Sequence, residues 1–516
     1  MSALLCTACF PPFNQTWLCW IALTPLIAAI WFSPRNSKRP WLRDLLLGYV
    51  AGVVFFTAVF SWLGSLGTLF ENFWLHGLSL LLSLYLALSF AFWTYVVGLI
   101  RPTNFVSSGR NLLAAFLAAS AWVAHEWTRG WLFGGFGWNG LGVALSGHWS
   151  LIQIAEFTGV TGLSFVIAFA NVIALTTPIR LFLEARTHQM RPHWDVNFTM
   201  LAIIGLLVLG WRVAQSAHPS KPLRVAAVQA GIPQREKFDR QSTAKIFDEF
   251  TRLSGIALQT KPPPDLLIWP EGSMPGPVLE DDQTYRFVMD ISASTKTDLL
   301  LGTDDQEEDH VYNAALLVSG SGRNVQIYRK LHLVPFGEYI PLRHSFPLFA
   351  AVAGHWVPGD FGFGKDYTVF RLTNDDVQAA PLICFEDTIG ELTRKFVLQG
   401  ANLLVNITND GWFLHSAGSK QHLANAVFRC VETRRPMVRA ANTGVTCFIN
   451  EFGRVTQVLQ DDTGSTFTQG VLTGDVNVPQ DRQLTFYTRH GELFAKLCTG
   501  VTLIALVVTA VRRRVR

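Results

Sequence analysis

The sequence predicts a polytopic α-helical membrane bundle joined to one large α/β domain outside the bilayer. Hydrophobic residues make up 49% of the 516-residue chain and charged residues only 16%, whereas about a quarter of the residues in a soluble domain are charged. The apolar excess lies almost entirely before about residue 215 and after about residue 492. The stretch between them has a soluble composition, and its length of roughly 270 residues suits one large globular domain with a full core.

Seven apolar segments are candidates for membrane-spanning helices, because about 20 mostly apolar residues are needed to cross the hydrocarbon core. They are Trp17–Phe32, Leu45–Leu63, Leu75–Ile100, Leu112–Trp127, Gly159–Ile179, Phe198–Val213 and Phe494–Val511. A further apolar segment, Met1–Phe10, stops at Pro11 and Pro12 and is too short to span by itself. It has neither the basic region nor the small-residue cleavage site of a signal peptide, so we expect a truncated or re-entrant first helix.

The basic residues predict the orientation of these spans. Lysine and arginine follow the first, third, fifth and last spans, whereas residues 61–77 have neither and residues 126–150 have only Arg129. Positively charged loops stay in the cytoplasm. We therefore expect a transmembrane helical bundle with short loops at 1–215, an extracytoplasmic domain at 222–490, and a final transmembrane helix with a basic cytoplasmic tail at 493–516.

The loop at residues 126–150 reads EWTRGWLFGGFGWNGLGVALSGHWS and interleaves aromatic residues with glycines. One interpretation is an aromatic belt that anchors helix ends at the level of the lipid headgroups. The other is a lipid-binding lip at the mouth of an active site, with Trp138 as a candidate binding residue. The sequence leaves both interpretations open.

Charge and cysteine spacing argue against several other kinds of site. The net charge of +4 is small, and much of the positive charge lies in short loops and the C-terminal tail, which gives no case for nucleic-acid binding. The seven cysteines lack the paired spacing of a disulfide scaffold or a zinc site. We interpret each of them except Cys384 as a small buried hydrophobic residue. We expect neither a metal nor a cofactor.

Short apolar runs alternate with amphipathic stretches between residues 222 and 490. The runs predict strands and the stretches predict helices, which is typical of an α/β layered fold with buried strands. The predicted strands lie within Leu223–Gln234, Asp265–Trp269, Asp298–Leu301, Ala314–Val318, Val325–Tyr328, Ala379–Ile383, Asn402–Ile407 and Val445–Ile449, and the predicted helices are Ala244–Leu258, Tyr285–Thr295 and Lys420–Arg434.

Three reactive side chains lie just past the ends of three predicted strands: Glu271 in DLLIWPEGS, Lys330 in VQIYRKLHL and Cys384 in AAPLICFED. Side chains at strand ends of an α/β sheet converge on one rim, where ligand sites usually form. A carboxylate can take the thiol proton, and an ammonium can stabilise a thiolate or an oxyanion. The pattern therefore predicts a nucleophilic centre built on Cys384.

The order WPE, then YRK with HLVPFGE, then ICFED resembles the carbon–nitrogen hydrolase (nitrilase) superfamily. NITNDGWF at 406–413, RCVETRRPMVRAANTG at 429–444 and EFGRV at 451–455 match it as well. The resemblance covers roughly residues 223–478. It implies that the outer domain is a nitrilase-like αββα sandwich with a Glu-Lys-Cys triad.

Over nearly its whole length, including EWTRGW and GFGWN, the chain resembles one branch of that superfamily, the apolipoprotein N-acyltransferase family. The resemblance implies that Glu271 is the general base, Lys330 the oxyanion stabiliser and Cys384 the nucleophile. It also implies substrate-binding or supporting roles for Glu338, Glu386, Asn409 and Trp412.

The chain departs from the family pattern at three places. Phe385 follows the cysteine where the family often has tyrosine, so the hydroxyl is absent. Phe238 stands where the family can carry a tryptophan on a mobile loop, which keeps an aromatic lid but not an indole N–H. The first helix, Met1–Phe10, is shorter than in the family.

The resemblance implies acyl transfer from a membrane phospholipid, through a Cys384 thioester, to the N-terminal amine of a diacylglyceryl-cysteine lipoprotein. The implied partners are the phospholipid donor, the diacylated lipoprotein acceptor and the lipid bilayer, and we expect a monomer. The implied location is the bacterial inner (cytoplasmic) membrane, with the catalytic domain in the periplasm.

Two other functions compete with this interpretation. One is a membrane-tethered nitrilase-type amidohydrolase acting on a small amide, in which water resolves the thioester, although a tether needs only one span. The other is a transporter or scaffold with an outer sensor domain. It would not explain three reactive residues at strand ends, and the spans contain few polar residues for a transport path.

Overall fold

The computed structural model describes residues 1–33, 39–216, 219–237, 240–320, 322, 324–343, 345, 354, 357, 359–374 and 376–515. The chain forms two compact units. The first, called here the helical unit, comprises Met1–Ser216, Ser416–Phe428 and His490–Arg516. The second, called the sheet unit, comprises Ala217–His415 and Arg429–Arg489.

The α-helices of the described chain are α1 Ser2–Ala8, α2 Thr24–Phe32, α3 Pro40–Val59, α4 Ser65–Leu69, α5 Leu78–Leu99, α6 Ser108–Arg129, α7 Ala155–Thr158, α8 Val160–Thr187, α9 Trp194–Val213, α10 Gln234–Lys237, α11 Thr243–Leu258, α12 Asp282–Thr295, α13 Gly390–Leu398, α14 Gly418–Thr433, α15 Phe486–His490 and α16 Leu493–Val515. Short 3₁₀ helices cover Thr16–Trp20, Ser61–Gly64, Phe73–Gly77, Leu132–Gly134, Leu141–Leu145, Leu151–Ile154, Arg240–Ser242, Cys384–Thr388 and Asp410–Phe413.

Five helices of the helical unit are long and apolar enough to cross a membrane, which confirms the predicted helical membrane part. They are Pro40–Val59, Phe73–Leu99, Val160–Thr187, Trp194–Val213 and Leu493–Arg512.

The other two predicted spans are helical but differ from that description. Thr16–Phe32 is a shorter apolar stretch, made of a 3₁₀ turn followed by the nine-residue helix α2. Helix α6 has 22 residues, but it carries buried His125, Glu126 and Arg129 near its end and is not among the five. The short first helix expected within Met1–Phe10 is found as α1.

Close approach of α3 and α5 depends on two glycines four residues apart. A Cβ atom at Gly48 would lie 2.0 Å from Thr94 Oγ1, and one at Gly52 would lie 2.8 Å from the Cα of Ala87. Small residues at such spacing allow two helix backbones to pack closely in a membrane.

A buried ion network joins α6, α8 and α9. Arg180 donates from Nε to Glu184 Oε1 at 2.8 Å and from Nη1 to Asp195 Oδ1 at 2.9 Å, and Asn111 Nδ2 donates to Asp195 Oδ2 at 2.8 Å. Arg180, Glu184 and Asp195 are almost fully buried. Because a buried charge is costly without a partner, removal of one member should loosen all three helices.

The sheet unit contains two six-stranded mixed sheets. Their strand orders are β12-β1-β2-β3-β4-β5 and β11-β10-β9-β8-β7-β6. The strands are β1 Ser220–Gln229, β2 Leu266–Ile268, β3 Asp298–Glu307, β4 His310–Val318, β5 Val325–Arg329, β6 Phe370–Arg371, β7 Gln378–Ile383, β8 Leu403–Thr408, β9 Met437–Ala441, β10 Cys447–Ile449, β11 Val455–Val458 and β12 Gly470–Pro479.

Both faces of the central strands are buried, as the apolar runs in the sequence predict. On one face of the first sheet, alternate residues such as Ala226, Leu267 and Leu299 pack with Phe250 of α11 and Val288 of α12. The intervening residues of the same strands are buried as well, and the two sheets are joined by hydrogen bonds such as that from Thr446 Oγ1 to Gln229 Oε1 at 2.6 Å. Helices on the outside of two stacked sheets make the predicted αββα sandwich.

Residues Ser416–Phe428 group with the helical unit, although they fall within the 222–490 domain expected from the sequence. Hydrogen bonds of the Gln421 side chain explain much of this grouping. Its Oε1 accepts from Trp62 Nε1 at 3.0 Å and from Asn139 Nδ2 at 2.8 Å. Its Nε2 donates to the carbonyl oxygens of Pro11 and Val59, both at 3.0 Å. The buried amide thus satisfies four groups from four segments of the helical unit.

Candidate active site

Three strands of the sheet unit end at the predicted triad. Lys330 follows β5 directly and Cys384 follows β7 directly, while Glu271 stands three residues after the end of β2. The Glu271 turn packs tightly on β3, because a Cβ atom at Gly302 would lie 2.6 Å from the Cα of Glu271. The carboxyl ends of these strands therefore carry the three side chains to one end of the sandwich.

A hydrogen-bonded cluster surrounds Lys330, whose side chain is only 1% exposed. Its Nζ donates to Glu338 Oε1 at 2.8 Å and lies 3.8 Å from Glu271 Oε1. Asn313 Nδ2 donates to Glu271 Oε1 and to Glu338 Oε1, both at 2.8 Å. One oxygen of Glu271 is thus held, and the other, Oε2, is buried with no hydrogen-bonding partner among the described residues. That oxygen can receive a proton.

Cys384 opens the 3₁₀ turn after β7 with φ of +52°, a left-handed conformation that a non-glycine residue adopts at a cost. Asn406 Nδ2 donates to the Cys384 carbonyl at 3.1 Å and to the Leu382 carbonyl at 3.2 Å. The surrounding strands therefore fix a sharp bend that presents the thiol at the strand end.

The charges in the site act on one another. Burial alone would lower the pKa of Lys330, but Glu338 and Glu271 outweigh it and raise that pKa above its usual value. Burial raises the pKa of Cys384 well above its usual value, and the Glu271 carboxylate raises it further while Lys330 opposes both. The resting site therefore holds a protonated ammonium and a neutral thiol.

Glu386 joins the Cys384 turn to the turn that follows Lys330. Its Oε2 accepts from the Ile383 N–H at 2.9 Å, and its Oε1 accepts from the N–H groups of Leu331 at 2.8 Å and His332 at 3.0 Å. The Tyr328 hydroxyl donates to the same Oε1 at 2.8 Å. Burial raises the pKa of Glu386 to about 7, against the opposing effects of Lys330 and these hydrogen bonds.

A second buried ion network supports the Cys384 turn from β8 and β9. Arg439 donates to Asp387 Oδ2 at 2.5 Å, to Asn406 Oδ1 at 2.9 Å and to Asp410 Oδ2 at 3.0 Å. Arg439, Asp387 and Asp410 are all fully buried. The network connects the turn that begins at Cys384 to strands β8 and β9 at the centre of the second sheet.

The remaining predicted site residues that the structure describes lie in several parts of the chain. Phe385 is buried and stacks on His332, with ring centroids 5.8 Å apart. Asn409 donates to Gln234 Oε1 at 2.5 Å, and Trp412 lies in the 3₁₀ turn that follows. Trp138 belongs to the helical unit, where it packs against Phe136, Trp62 and His422. Phe238 lies outside the described residues.

Sequence analysis missed three side chains that shape the site. Asn313 bridges two carboxylates, as described above. Lys237 donates from Nζ to the Glu271 carbonyl at 2.9 Å, and burial lowers its pKa to about 8. Tyr328 supports Glu386 and looks in the sequence like an ordinary core residue of a strand. Only the pairing of β4 with β5, which brings Ala314 opposite Arg329 and so places Asn313 beside Lys330, could have revealed the first of them.

Within the described ranges, no group of three or more His, Cys, Asp or Glu side chains is arranged to hold a metal ion.

Comparison with known proteins agrees with this fold. Residues 224–484 match the carbon–nitrogen hydrolase family model, which defines the class of the sheet unit and confirms the predicted fold class. Residues 2–173 match the model of the apolipoprotein N-acyltransferase N-terminal domain. The chain belongs to the apolipoprotein N-acyltransferase family.

Individual relatives cover the whole chain. The apolipoprotein N-acyltransferase of Geobacter metallireducens is 34% identical over 100% of this chain and 95% of its own length. That of Chlorobaculum tepidum is 30% identical over 100% of this chain and 96% of its own. Among solved structures, an amidase from Nesterenkonia sp. is 18% identical, with a TM-score of 0.37, over 53% of this chain and 94% of its own.

Proposed function

We propose that this chain transfers an acyl group from a membrane phospholipid to the N-terminal amine of a diacylglyceryl-cysteine lipoprotein, with Glu271, Lys330 and Cys384 as the catalytic residues. The observation that carries the proposal is the free Oε2 of Glu271, in a site whose thiol is neutral and whose buried ammonium lies 3.8 Å from Glu271 Oε1. These groups are those that acyl transfer through a thioester requires.

In the first half-reaction the Cys384 sulfur attacks the ester carbonyl carbon of the phospholipid while its proton passes to Glu271 Oε2. The carbonyl π electrons move to oxygen, and the Lys330 ammonium stabilises the oxyanion. Collapse of this intermediate breaks the ester C–O bond, and the leaving alkoxide takes the proton from Glu271. The products are a lysophospholipid and an acyl thioester on Cys384.

In the second half-reaction the neutral N-terminal amine of the lipoprotein attacks the thioester carbonyl. Glu271 accepts the proton that the amine nitrogen loses, and Lys330 again stabilises the oxyanion. The C–S bond then breaks, the amide forms, and the departing sulfur recovers its proton from Glu271. Ping-pong kinetics follow from this order of events.

The location of the chain supplies both substrates. The chain is a membrane-embedded bacterial protein, and we place it in the inner membrane with the sheet unit in the periplasm, because basic residues mark alternate loops as cytoplasmic. Phospholipid and diacylated lipoprotein both reside in that bilayer. We propose that one copy of the chain suffices for the reaction.

Intact-mass analysis after incubation with phospholipid tests the proposal. The expected result is one acyl-sized adduct on the wild type, absent from Cys384→Ala and retained by Cys447→Ala, whose thiol is fully buried in β10. A diacylated lipopeptide with a free amine should discharge the adduct, and water should do so only slowly. No adduct with any phospholipid, together with ammonia release from small amides, would instead identify an amidohydrolase.

A further inference from the structure

Arg129 is a buried cation without an acceptor. It is the last residue of α6 and the only Lys or Arg between residues 126 and 150. It is 6% exposed, and within the described part of the chain its guanidinium makes no hydrogen bond and no ion pair, with Nε fully buried. The guanidinium carbon lies 5.2 Å from the centroid of the Phe56 ring.

Such an arrangement is costly unless another group completes it. A guanidinium is always charged and has five N–H donors in a planar fork, and a buried charged group whose donors lack acceptors destabilises the fold. The Glu126 carboxylate attracts Arg129 electrostatically but makes no hydrogen bond to it among the described residues, and its Oε1 already accepts from Trp122 Nε1 at 2.7 Å and from the Leu141 N–H at 2.6 Å. An acceptor from outside the chain would satisfy Arg129.

A second polar side chain faces the same position. His125, four residues earlier and thus on the same face of α6, is 5% exposed, and neither ring nitrogen has a partner among the described residues. Phe90 of α5 packs 6.1 Å from the His125 ring and 5.5 Å from the Phe56 ring of α3. The polar side chains of Arg129 and His125 on α6 and the aromatic rings of α3 and α5 therefore lie around one position in the helical unit.

The backbone after Arg129 holds this point in place. The Phe136 N–H donates to the Arg129 carbonyl at 2.8 Å, so the glycine-rich loop turns back over the end of α6. Gly135 has φ of +76°, and a Cβ atom there would lie 2.2 Å from the Gly130 carbonyl oxygen. Only glycine permits this turn, which places the loop over the helix end that carries Arg129.

We propose that Arg129 binds the phosphate of a membrane phospholipid within the helical unit. A phosphate accepts two parallel hydrogen bonds from a guanidinium, which suits a buried fork better than a point charge. A bilayer presents phosphates at the level of the helix ends, and a diacylglyceryl peptide carries none. The choice of phospholipid as ligand rests on the proposed function, whereas recognition of its phosphate does not depend on thioester chemistry.

Lipid retention by the full chain tests this proposal, with Cys384→Ala as the background so that the lipid stays intact. Native mass spectrometry would compare phosphatidylglycerol with diacylglycerol of the same acyl chains, which lacks the phosphate. Arg129→Gln should weaken retention of phosphatidylglycerol by at least tenfold and leave diacylglycerol unchanged. Arg101→Gln is the matched control, since Arg101 also lies over a phenylalanine of the helical unit, 5.5 Å from the centroid of Phe32, and it should retain both lipids.

Equal retention of phosphatidylglycerol by Arg129→Gln and its parent would overturn the proposal. Full displacement of the lipid by inorganic phosphate would also overturn it, because the position would then take free phosphate. Arg129→Lys, which keeps the charge but loses the fork, should fall between Arg129→Gln and the parent. A wild-type chain that forms no acyl adduct would refute the proposed function and leave this binding result standing on its own.

Thermal stability separates a binding role from a structural one. If Arg129 serves a ligand, Arg129→Met removes an unsatisfied buried charge, and the thermal midpoint in lipid-free detergent should stay the same or rise. Added phosphatidylglycerol should raise the midpoint of the wild type and not that of the variant. A fall in the lipid-free midpoint, with no difference in the lipid effect, would assign Arg129 a structural role only.

Discussion

Glu386→Gln should gain stability relative to the wild type as pH rises, while impairing acylation. Glu386 is completely buried, and burial raises its pKa from 4.5 to about 7. Since one pH unit corresponds to about 1.4 kcal/mol, keeping this carboxylate charged costs about 3 kcal/mol. Glutamine has the same shape and no charge, so it escapes that cost.

The sign of the pH dependence follows from the direction of the shift. A carboxyl group whose pKa is raised on folding binds its proton more tightly in the folded state, so its contribution to stability is complete below 4.5 and is lost as pH rises through about 7. At pH 5 the charge of Glu386 should therefore cause little difference in the free energy of unfolding between the wild type and Glu386→Gln. At pH 8 the variant should have gained about 3 kcal/mol on the wild type, or roughly 6–12 °C in thermal midpoint.

The rate of acylation by Glu386→Gln should fall. A carboxamide offers one oxygen, so if it keeps the N–H groups of Leu331 and His332, its amino group faces the Ile383 N–H. The glutamine amino group and the Ile383 N–H are both donors, so neither has an acceptor at this contact beside the Cys384 turn. A displacement of about 1 Å at a nucleophile can cost on the order of 100-fold in rate, and lysophospholipid release would measure it.

The assay is the thermal midpoint of the full chain in detergent from pH 5 to pH 8, for the wild type and Glu386→Gln. Glu391→Gln is the control, because the Glu391 side chain is 39% exposed in an ion pair with Arg394. The reasoning is refuted if the difference between wild type and Glu386→Gln stays constant over this range, or if Glu391→Gln shows the same trend.

Three further predictions concern the geometry around the general base. Asn313→Leu removes two hydrogen bonds to carboxylates, worth about 1.5–3 kcal/mol each, so acyl-enzyme formation should fall at least 100-fold by intact mass; an unchanged rate would mean that Glu271 needs no support. Glu271→Gln removes a negative charge that raises the pKa of Cys384, so the pH midpoint for alkylation of the thiol should move down while acyl transfer is lost, and an upward move would contradict this electrostatic order. Gly302→Ala places a carbon 2.6 Å from the Cα of Glu271 and should slow acylation more than tenfold, whereas Gly276→Ala, with open space at its Cβ position, should not.

Strands that are mostly apolar could be predicted from the sequence, whereas strands interrupted by a buried charge or exposed along much of their length could not. The run Ala379–Ile383 became β7 almost unchanged. Strand β9, Met437–Ala441, contains Arg439, which interrupts any apolar run. Its charge is accommodated by Asp387 and Asp410, which are distant in sequence. The edge strand β11 and most of β12 are too exposed or too polar to stand out.

The triad positions could be predicted because strand ends converge, but the groups that tune them could not. Glu271, Lys330 and Cys384 each follow a recognisable strand. Asn313 lies inside a strand, and its importance comes from pairing with the strand that precedes Lys330. Gln421 likewise lies in a stretch of soluble composition, yet its four hydrogen bonds are made to the helical unit. Contacts of this kind depend on tertiary structure, which local patterns do not contain.

The protonation of Cys384 connects its reactivity to the presence of substrate. Burial and the Glu271 carboxylate keep the thiol neutral, and Lys330 only partly opposes them. A neutral thiol is a poor nucleophile, so attack has to coincide with proton transfer to Glu271 Oε2, which has no competing partner among the described residues. That transfer becomes favourable only when an acyl carbonyl is in place and Lys330 can stabilise the oxyanion that forms. Oxidants also react with thiolates rather than thiols, and the same electrostatics should therefore protect Cys384 in the oxidising periplasm where we place it.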